Sequence, residues 1–388
     1  MTAHSFDAAV RASPFYTPEH EAFRQSLRRF VAKEIEPFVN ERDEAGEFPR
    51  ELYKKAASVG YLGLGYPERY GGIECDRFMR VIAMQEIARG GSGGVAAGLF
   101  THTIAAPPIL NRGSEEMKAR VLPQILSGEK IAALAITEPS GGSDVANLRT
   151  IAGRDGDHYV INGCKTFITS GMRADLITLA VRTGGPGASG VSLILVEGNP
   201  PGLQRTLLKK MGWWCSDTAT LYFENCRVPA ANLIGEEGAG FRVIMLNFND
   251  ERLYGAAGAI AFARVCLDEA IAYARERVTF GRPIIEHQVI RHKLVDMAQR
   301  IEASQAMLEL LSWRLEHGEN PIAEICMLKN QASTTLAFCA SDGVQIFGGA
   351  GFMRGAKVER IYREVKVNAI GAGTEEIMKD LASRQMGL

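Results

Sequence analysis

Glu251 is the side chain of this sequence best suited to moving a proton. It sits in GFRVIMLNFNDERLYGAAGAIAF, Gly240 to Phe262. At helical spacing Phe241, Ile244, Met245, Phe248, Gly255, Ala259 and Phe262 share one face, and Glu251 and Arg252 fall on it too. A carboxylate inside an apolar stripe resists ionisation. Burial therefore raises its pKa toward neutrality, as a general base working near pH 7 requires. The same residues admit a plainer reading. Asn249 or Asp250 caps a new helix, and Glu251 is a solvated first-turn acid or the partner of a neighbouring arginine, since structural ion pairs also perturb acids.

Other patterns carry less. Gly90-Gly91-Ser92-Gly93-Gly94 satisfies the G-x-S-x-G of serine hydrolases, but that elbow needs a strand before it and a helix after it, and here a helix precedes. Gly185 to Gly190 satisfies G-x-G-x-x-G, yet strand-like segments flank it on both sides, whereas a dinucleotide fingerprint must open a helix. The seven cysteines are scattered, odd in number and free of any C-x-x-C, which argues against a disulfide framework and a zinc site. They are expected to be reduced and buried, and no metal is expected.

The 388 residues suffice for two or three domains with substantial cores. With 44 basic against 45 acidic residues there is no net electrostatic footprint for nucleic acid or an anionic membrane. No apolar run of about 18 residues and no signal-peptide pattern stands out, so a cytoplasmic protein is expected. Thr17-Pro18 opens a helix whose apolar stripe is Phe23, Leu27, Phe30, Ile35 and Phe38; further helices are expected at 50–59 and 78–88 and after Ser114. From Lys130 the period changes. IAALAIT, HYVING, KTFIT, LITLAVR, VSLILVE and TATLYFE read as strands of an all-β domain. The helical period returns after Gly238, interrupted at Gly348–Gly351 and at Gly371–Thr374. The expected architecture is an α+β multidomain chain. It comprises an N-terminal helical domain (1–130), a central β-sandwich or barrel-like domain (131–238) and a C-terminal helical domain resembling a four-helix bundle (239–388).

Three blocks, AITEPSGGSDVAN (135–147), RERVTFGRPIIEHQ (275–288) and QIFGGAGF with VERIYRE and IGAGTEEIM (345–378), together with GYLGLGYPERYGG near the N-terminus, resemble the acyl-CoA dehydrogenase family of flavoproteins. Four blocks in register cover almost the whole chain. The resemblance implies FAD, with Ile136, Thr137, Phe167 and Thr169 around the flavin ring and Ser143 on the pyrophosphate. It implies that Arg277, Phe280, Gln288, Gln345 and Gly349 reach the flavin of a neighbouring subunit, so that a homo-oligomer, dimer or tetramer, is required. Thr374 and Glu376 match positions near the nucleotide part.

The reaction implied is α,β-dehydrogenation of an acyl-CoA thioester to a trans-2-enoyl-CoA, in the service of fatty acid β-oxidation, with electrons passed to an electron-transferring flavoprotein. Many family members place the catalytic glutamate where this chain has Gly371-Ala372-Gly373. The other family location is the glutamate of a D-x-E-R-L or Q-E-R-L run, which matches Glu251 in Asn249-Asp250-Glu251-Arg252-Leu253. The pattern is similar to the isovaleryl-CoA, long-chain and citronellyl-CoA dehydrogenases. Arg252 and Gly371 are then substrate-binding, the Ala372 N–H belongs to an oxyanion hole, and a branched or medium-to-long acyl chain is expected. Gly355 departs from the family, which commonly has an acidic residue there. Competing readings are an oxygen-using relative, either an acyl-CoA oxidase or an N-hydroxylating monooxygenase, and a non-catalytic acyl-CoA-binding relative.

Overall fold

The change of hydrophobic period at Lys130 is a change of architecture. A computed structural model describes residues 13–388, with helices first, then strands, then helices. Helix α1 (Pro18–Phe30) opens with Thr17 accepting from the His20 N–H and with Pro18 in its first turn. Its stripe does not run straight on. A π-helical turn at Val31–Ile35 and a 3-10 turn at Glu36–Phe38 alter the residues per turn, and Pro37 adds no donor. The phase slips, so Val39 is buried while Phe38, expected in the stripe, is 39% exposed.

Helices α2 (Val39–Ala45), α3 (Glu51–Ser58), α4 (Arg77–Arg89), α5 (Gly93–Ala105), α6 (Pro107–Arg112) and α7 (Glu115–Leu126) follow. Asp76 caps α4 and Ser114 caps α7, each accepting from an N–H in the first turn. The glycines at 90–94 close α4 and open α5, with no strand leading into them. Contrary to the reading of the sequence, Gly93–Arg112 is long and apolar enough to cross a membrane by length and composition; 72% of its most apolar window is buried inside the protein. It is also broken before Pro107, in the manner of core helices.

The strands are β1 (Ala132–Ala135), β2 (Ile151–Asp155), β3 (His158–Thr169), β4 (Leu176–Arg182), β5 (Val191–Glu197), β6 (Leu203–Leu207) and β7 (Thr218–Pro229). They form one sheet in the order β1-β4-β2-β3-β7-β6, with β5 also paired to β4. HYVING and KTFIT are not separate strands: both lie in β3, which pairs with β7 through two irregularities in register. The GGPGASG segment joins β4 to β5 as an antiparallel hairpin. Strands β2 and β6 were not legible because they are five residues long, mix polar with apolar residues and leave most of their side chains outside the core. β4 is buried on both faces. Leu176 and Ala180 pack with Val121, Leu122 and Ile125 of α7, while Ile177, Leu179 and Val181 pack with Ile161, Leu221 and Phe223 of the same sheet.

Residue contacts divide the chain into two compact units: Met1–Asn40, Cys75–Gly93 and Glu251–Leu388 in one, Glu41–Glu74 and Gly94–Asp250, with the sheet, in the other. The first unit contains α1 and α4. It continues with the part of α8 (Gly240–Glu276) from Glu251, then α9 (Gln288–Glu316), α10 (Ile322–Phe347), the short α11 (Gly349–Phe352), α12 (Lys357–Glu364), α13 (Lys366–Ile370) and α14 (Glu375–Met386). A two-stranded hairpin of β8 (Val278–Thr279) and β9 (Arg282–Pro283) separates α8 from α9. Within this bundle Gln85 on α4 donates to Gln305 on α9 at 2.8 Å, and Ser304 bonds Thr335 on α10 at 3.0 Å. Cys326 and Ala323 on α10 pack on Met378 and Ala382 of α14. Five of the seven cysteines are buried as expected, but Cys75 and Cys164 are partly exposed, and all seven are free thiols.

Candidate functional site

No helix begins at Asn249 or Asp250. α8 is continuous over 37 residues, so the capping explanation of this segment fails. Glu251 as a whole is half-buried, but its Oε2 is shut off from solvent and has no hydrogen-bond partner. Burial pushes the carboxyl up to about 7, and the charge of Arg252 beside it opposes this only in part. Arg252 is 6% exposed and donates from Nε to the Ala372 carbonyl at 3.2 Å.

That carbonyl belongs to a strained turn. Ala372 has φ 56 and Gly373 φ 101. The φ of Gly373 lies in the range that favours glycine, and a Cβ there would also push on the flexible end of Met378, 2.4 Å away. A left-handed alanine costs about 1–3 kcal/mol and persists only where its surroundings over-determine it. Here four side chains grip the neighbouring carbonyls. Arg252 holds Ala372; Lys329 Nζ donates to Gly373 at 2.6 Å, Asn330 to Glu375 at 3.0 Å and Ser333 to Asn368 at 2.9 Å. At roughly 0.5–1.5 kcal/mol each, and more for the charged donors, these bonds outweigh the strain. The Ala372 N–H itself donates to no described residue. An unshared N–H on a turn held by the residue that follows a buried carboxyl is a geometry an oxyanion donor could use. Thr374 caps α14 through Oγ1, which accepts from the Ile377 N–H at 3.3 Å. Gly371 and Glu376 are exposed, and the Glu376 carboxyl is held below its usual range by its own N–H and by Thr374.

In the sheet-containing unit the TEPSGGS turn is built on a buried ion pair that the sequence reading missed. Lys165 on β3 donates to the Ile136 carbonyl at 2.9 Å and to Glu138 at 2.8 Å. Glu138 also accepts from the Arg149 and Thr150 N–H groups at 2.6 and 2.8 Å. The Thr166 N–H donates to the Thr137 carbonyl at 2.9 Å, tying the turn to β3. Ile136 is 7% exposed, Thr137 and Thr169 are half-buried, and Ser143 is exposed. Phe167, with φ 60, is 69% exposed. The N–H groups of Gly142 and Ser143 donate to no described residue, and a Cβ on Gly141 would meet nothing within 4 Å. Unshared N–H groups and a bare glycine beside an exposed aromatic ring fit a cofactor that carries both a pyrophosphate and a flat ring system.

Arg277, Phe280 and Gly349 come together in the bundle unit. They line a pocket of about 640 Å³ with Tyr273, His287 and Phe347. Tyr273 and Phe347 stack there, with centroids 4.3 Å apart. Among the described residues Arg277 has no ion-pair partner, so the surface salt bridge that a lone arginine usually forms is not its role. Phe280 is 96% exposed. Gln288 and Gln345 are exposed and do not line the pocket. Gly355 has φ 98, a conformation an acidic side chain would adopt only with strain.

Family models of the acyl-CoA dehydrogenase N-terminal, middle and C-terminal domains match residues 17–129, 133–226 and 238–387. An acyl-CoA dehydrogenase of Bacillus subtilis (strain 168) is 40% identical over 95% of this chain and 98% of its own length. The mitochondrial long-chain specific acyl-CoA dehydrogenase of Sus scrofa is 36% identical over 96% of this chain and 87% of its own. The crystal structure of a putative acyl-CoA dehydrogenase from Mycobacterium smegmatis superposes with a TM-score of 0.95 at 47% identity, covering 97% of this chain and 99% of that one. The chain belongs to the acyl-CoA dehydrogenase family, FAD-dependent flavoproteins that oxidise acyl-CoA.

Proposed function

We propose that Glu251 is the base that takes the α-proton of a branched or medium-to-long acyl-CoA, giving the trans-2-enoyl-CoA. The observation that carries this is the buried, unpartnered Oε2 on a carboxyl whose pKa is pushed up to about 7. A group so poised is ionised in a substantial fraction near neutrality and still basic enough to hold the proton it receives. FAD, when bound, supplies the acceptor for the hydride leaving the β-carbon. The protein does the rest. The Ala372 N–H donates to the thioester oxygen as negative charge gathers there, and Arg252 and Gly371 contact the acyl-CoA while Arg252 steadies the turn.

Ile136, Thr137, Ser143, Phe167 and Thr169 hold the flavin and its pyrophosphate, with Thr374 and Glu376 near the nucleotide part. Arg277, Phe280, Gln288, Gln345 and Gly349 serve the flavin of a second copy in a dimer or tetramer, a role supported by an almost fully exposed Phe280 and an arginine without an ion-pair partner. Small residues at 371 and 372 leave room near the β-carbon. That room and the similarity to a long-chain specific relative support the choice of acyl group. Electrons leave to an electron-transferring flavoprotein, as the family resemblance implies.

An anaerobic titration with straight and branched acyl-CoAs, read on the visible flavin spectrum, tests the reading. Bleaching by branched or longer chains, reversed by an electron-transferring flavoprotein, is expected. A flavin that no thioester bleaches would overturn the reaction; recovery by oxygen alone would make the protein an oxidase.

A further inference from the structure

Lys329 lies on α10 in a run whose other members, Ile325, Cys326, Leu328 and Ala332, are buried core. It is itself 5% exposed. A buried ammonium normally has a carboxylate beside it, because desolvating an uncompensated charge is costly. Among the described residues Lys329 has no such partner within ion-pair distance, and its Nζ donates to the Gly373 carbonyl at 2.6 Å. Burial and the nearby charge of Arg252 bring its pKa down to about 8, against the weaker opposing charges of Glu375 and Glu376, neither within ion-pair distance. Two mutually repelling cations are thus set on consecutive carbonyls, Ala372 and Gly373. Holding the turn alone would not need them. The neutral Asn330 and Ser333, on the same helix, hold Glu375 and Asn368. What two cations add is positive charge hydrogen-bonded directly to the Ala372 turn, closer to it than the opposing carboxylates of Glu375 and Glu376 are to Lys329.

We propose that Lys329 is a positioning residue for the dehydrogenation: with Arg252 it locks the left-handed turn at Ala372 and favours the negative charge that develops on the acyl oxygen. This rests on the Glu251 and Ala372 assignments made above. The interaction is one realised as charge builds, so its loss should appear in kcat rather than in KM.

The test uses the FAD-loaded protein and an acyl-CoA analogue with sulfur in place of the β-methylene, which can lose its α-proton but cannot give up a hydride. Its enolate, against oxidised flavin, gives a long-wavelength charge-transfer absorbance. In Lys329→Met, FAD content and KM should stay within about twofold while kcat and the enolate absorbance fall by about tenfold or more, and Lys329→Arg should restore most of both. Unchanged kcat and absorbance in Lys329→Met would overturn the proposal, as would a Lys329→Arg variant as impaired as Lys329→Met. If Lys329→Met yields no flavin-loaded protein, Lys329→Gln takes its place under the same criteria. Glu251→Gln run in parallel separates the two readings. Normal enolate absorbance in that variant means the base is misassigned; its loss, with Lys329→Met unaffected, removes only Lys329.

Discussion

Glu138 and Glu251 are two glutamates with shielded carboxyl oxygens, and their surroundings send them in opposite directions. Burial alone would raise both. At Glu138 the charge and hydrogen bond of Lys165, with the N–H groups of Thr150 and Arg149, outweigh burial and draw the carboxyl down to about 2. At Glu251 nothing but the side charge of Arg252 opposes burial, and the carboxyl rises to about 7. The first is a permanent anion that ties TEPSGGS to β3. The second can take up and release a proton at the pH where the cell works. Partner supply, more than depth of burial, decides whether a carboxylate is scaffold or chemistry.

Removing each acid's decisive feature should therefore have different consequences. Glu251→Gln should leave FAD bound and lower the rate of flavin reduction by about 10² to 10⁴, the usual loss on deleting a general base. Reduction at a near-normal rate would end the comparison at once. Lys165→Met, by contrast, strands Glu138 as a buried anion and should destabilise the protein by about 3–5 kcal/mol, with loss of FAD. Thermal unfolding and flavin content measure it. A Lys165→Met variant with unchanged melting and full flavin would mean that the pair is ornamental.

The sequence made one of these acids visible and hid the other. Glu251 stood out because an acid on the face of Phe241, Ile244 and Phe248 breaks a helical pattern. Whether a helix began at Asp250 could not be settled, because capping residues are local signals, whereas the continuity of α8 depends on what packs around it. Lys165 and Lys329 were overlooked although each interrupts an apolar run; their acceptors, the carbonyls of Ile136 and Gly373, lie 29 and 44 residues away. The left-handed backbone at Ala372 was hidden for another reason. Alanine announces no positive φ, as glycine does. The succession of helical, strand and helical blocks was legible because period alone encodes it, whereas the slip at Phe38 came from a π-turn that no period reveals.

The raised pKa of Glu251 is also a statement about stability. Its native value, about 7, lies above the ordinary 4.5, so the folded state favours the neutral acid. Stability from this group is full below pH 4.5 and is lost as pH rises through 7. At pH 8 the native carboxylate is charged and unpartnered, a deficit of about 3 kcal/mol. Glutamine never meets that deficit. Glu251→Gln should therefore melt higher than the parent at pH 8, with the gap closing toward pH 4.5. A gap independent of pH would mean that the carboxyl is better solvated than its unpartnered Oε2 suggests.

Relocating the base sharpens the comparison further, because it asks whether the environment or the residue number confers basicity. Glu251→Ala combined with Ala372→Glu places a carboxylate on the turn gripped by Arg252 and Lys329. The new side chain inherits φ 56, which costs no more for glutamate than for the alanine already there by backbone sterics alone. It also sits close to cations, which favour its ionised form and weaken it as a base. Recovery of about tenfold over Glu251→Ala alone, well short of the parent, is expected, with the pH profile of flavin reduction moved to lower pH. A recovered activity that keeps the parent's pH profile would show that the profile never belonged to the carboxyl. No recovery at all would leave Glu251 as the base and mean that a carboxylate on residue 372 does not reach the α-carbon.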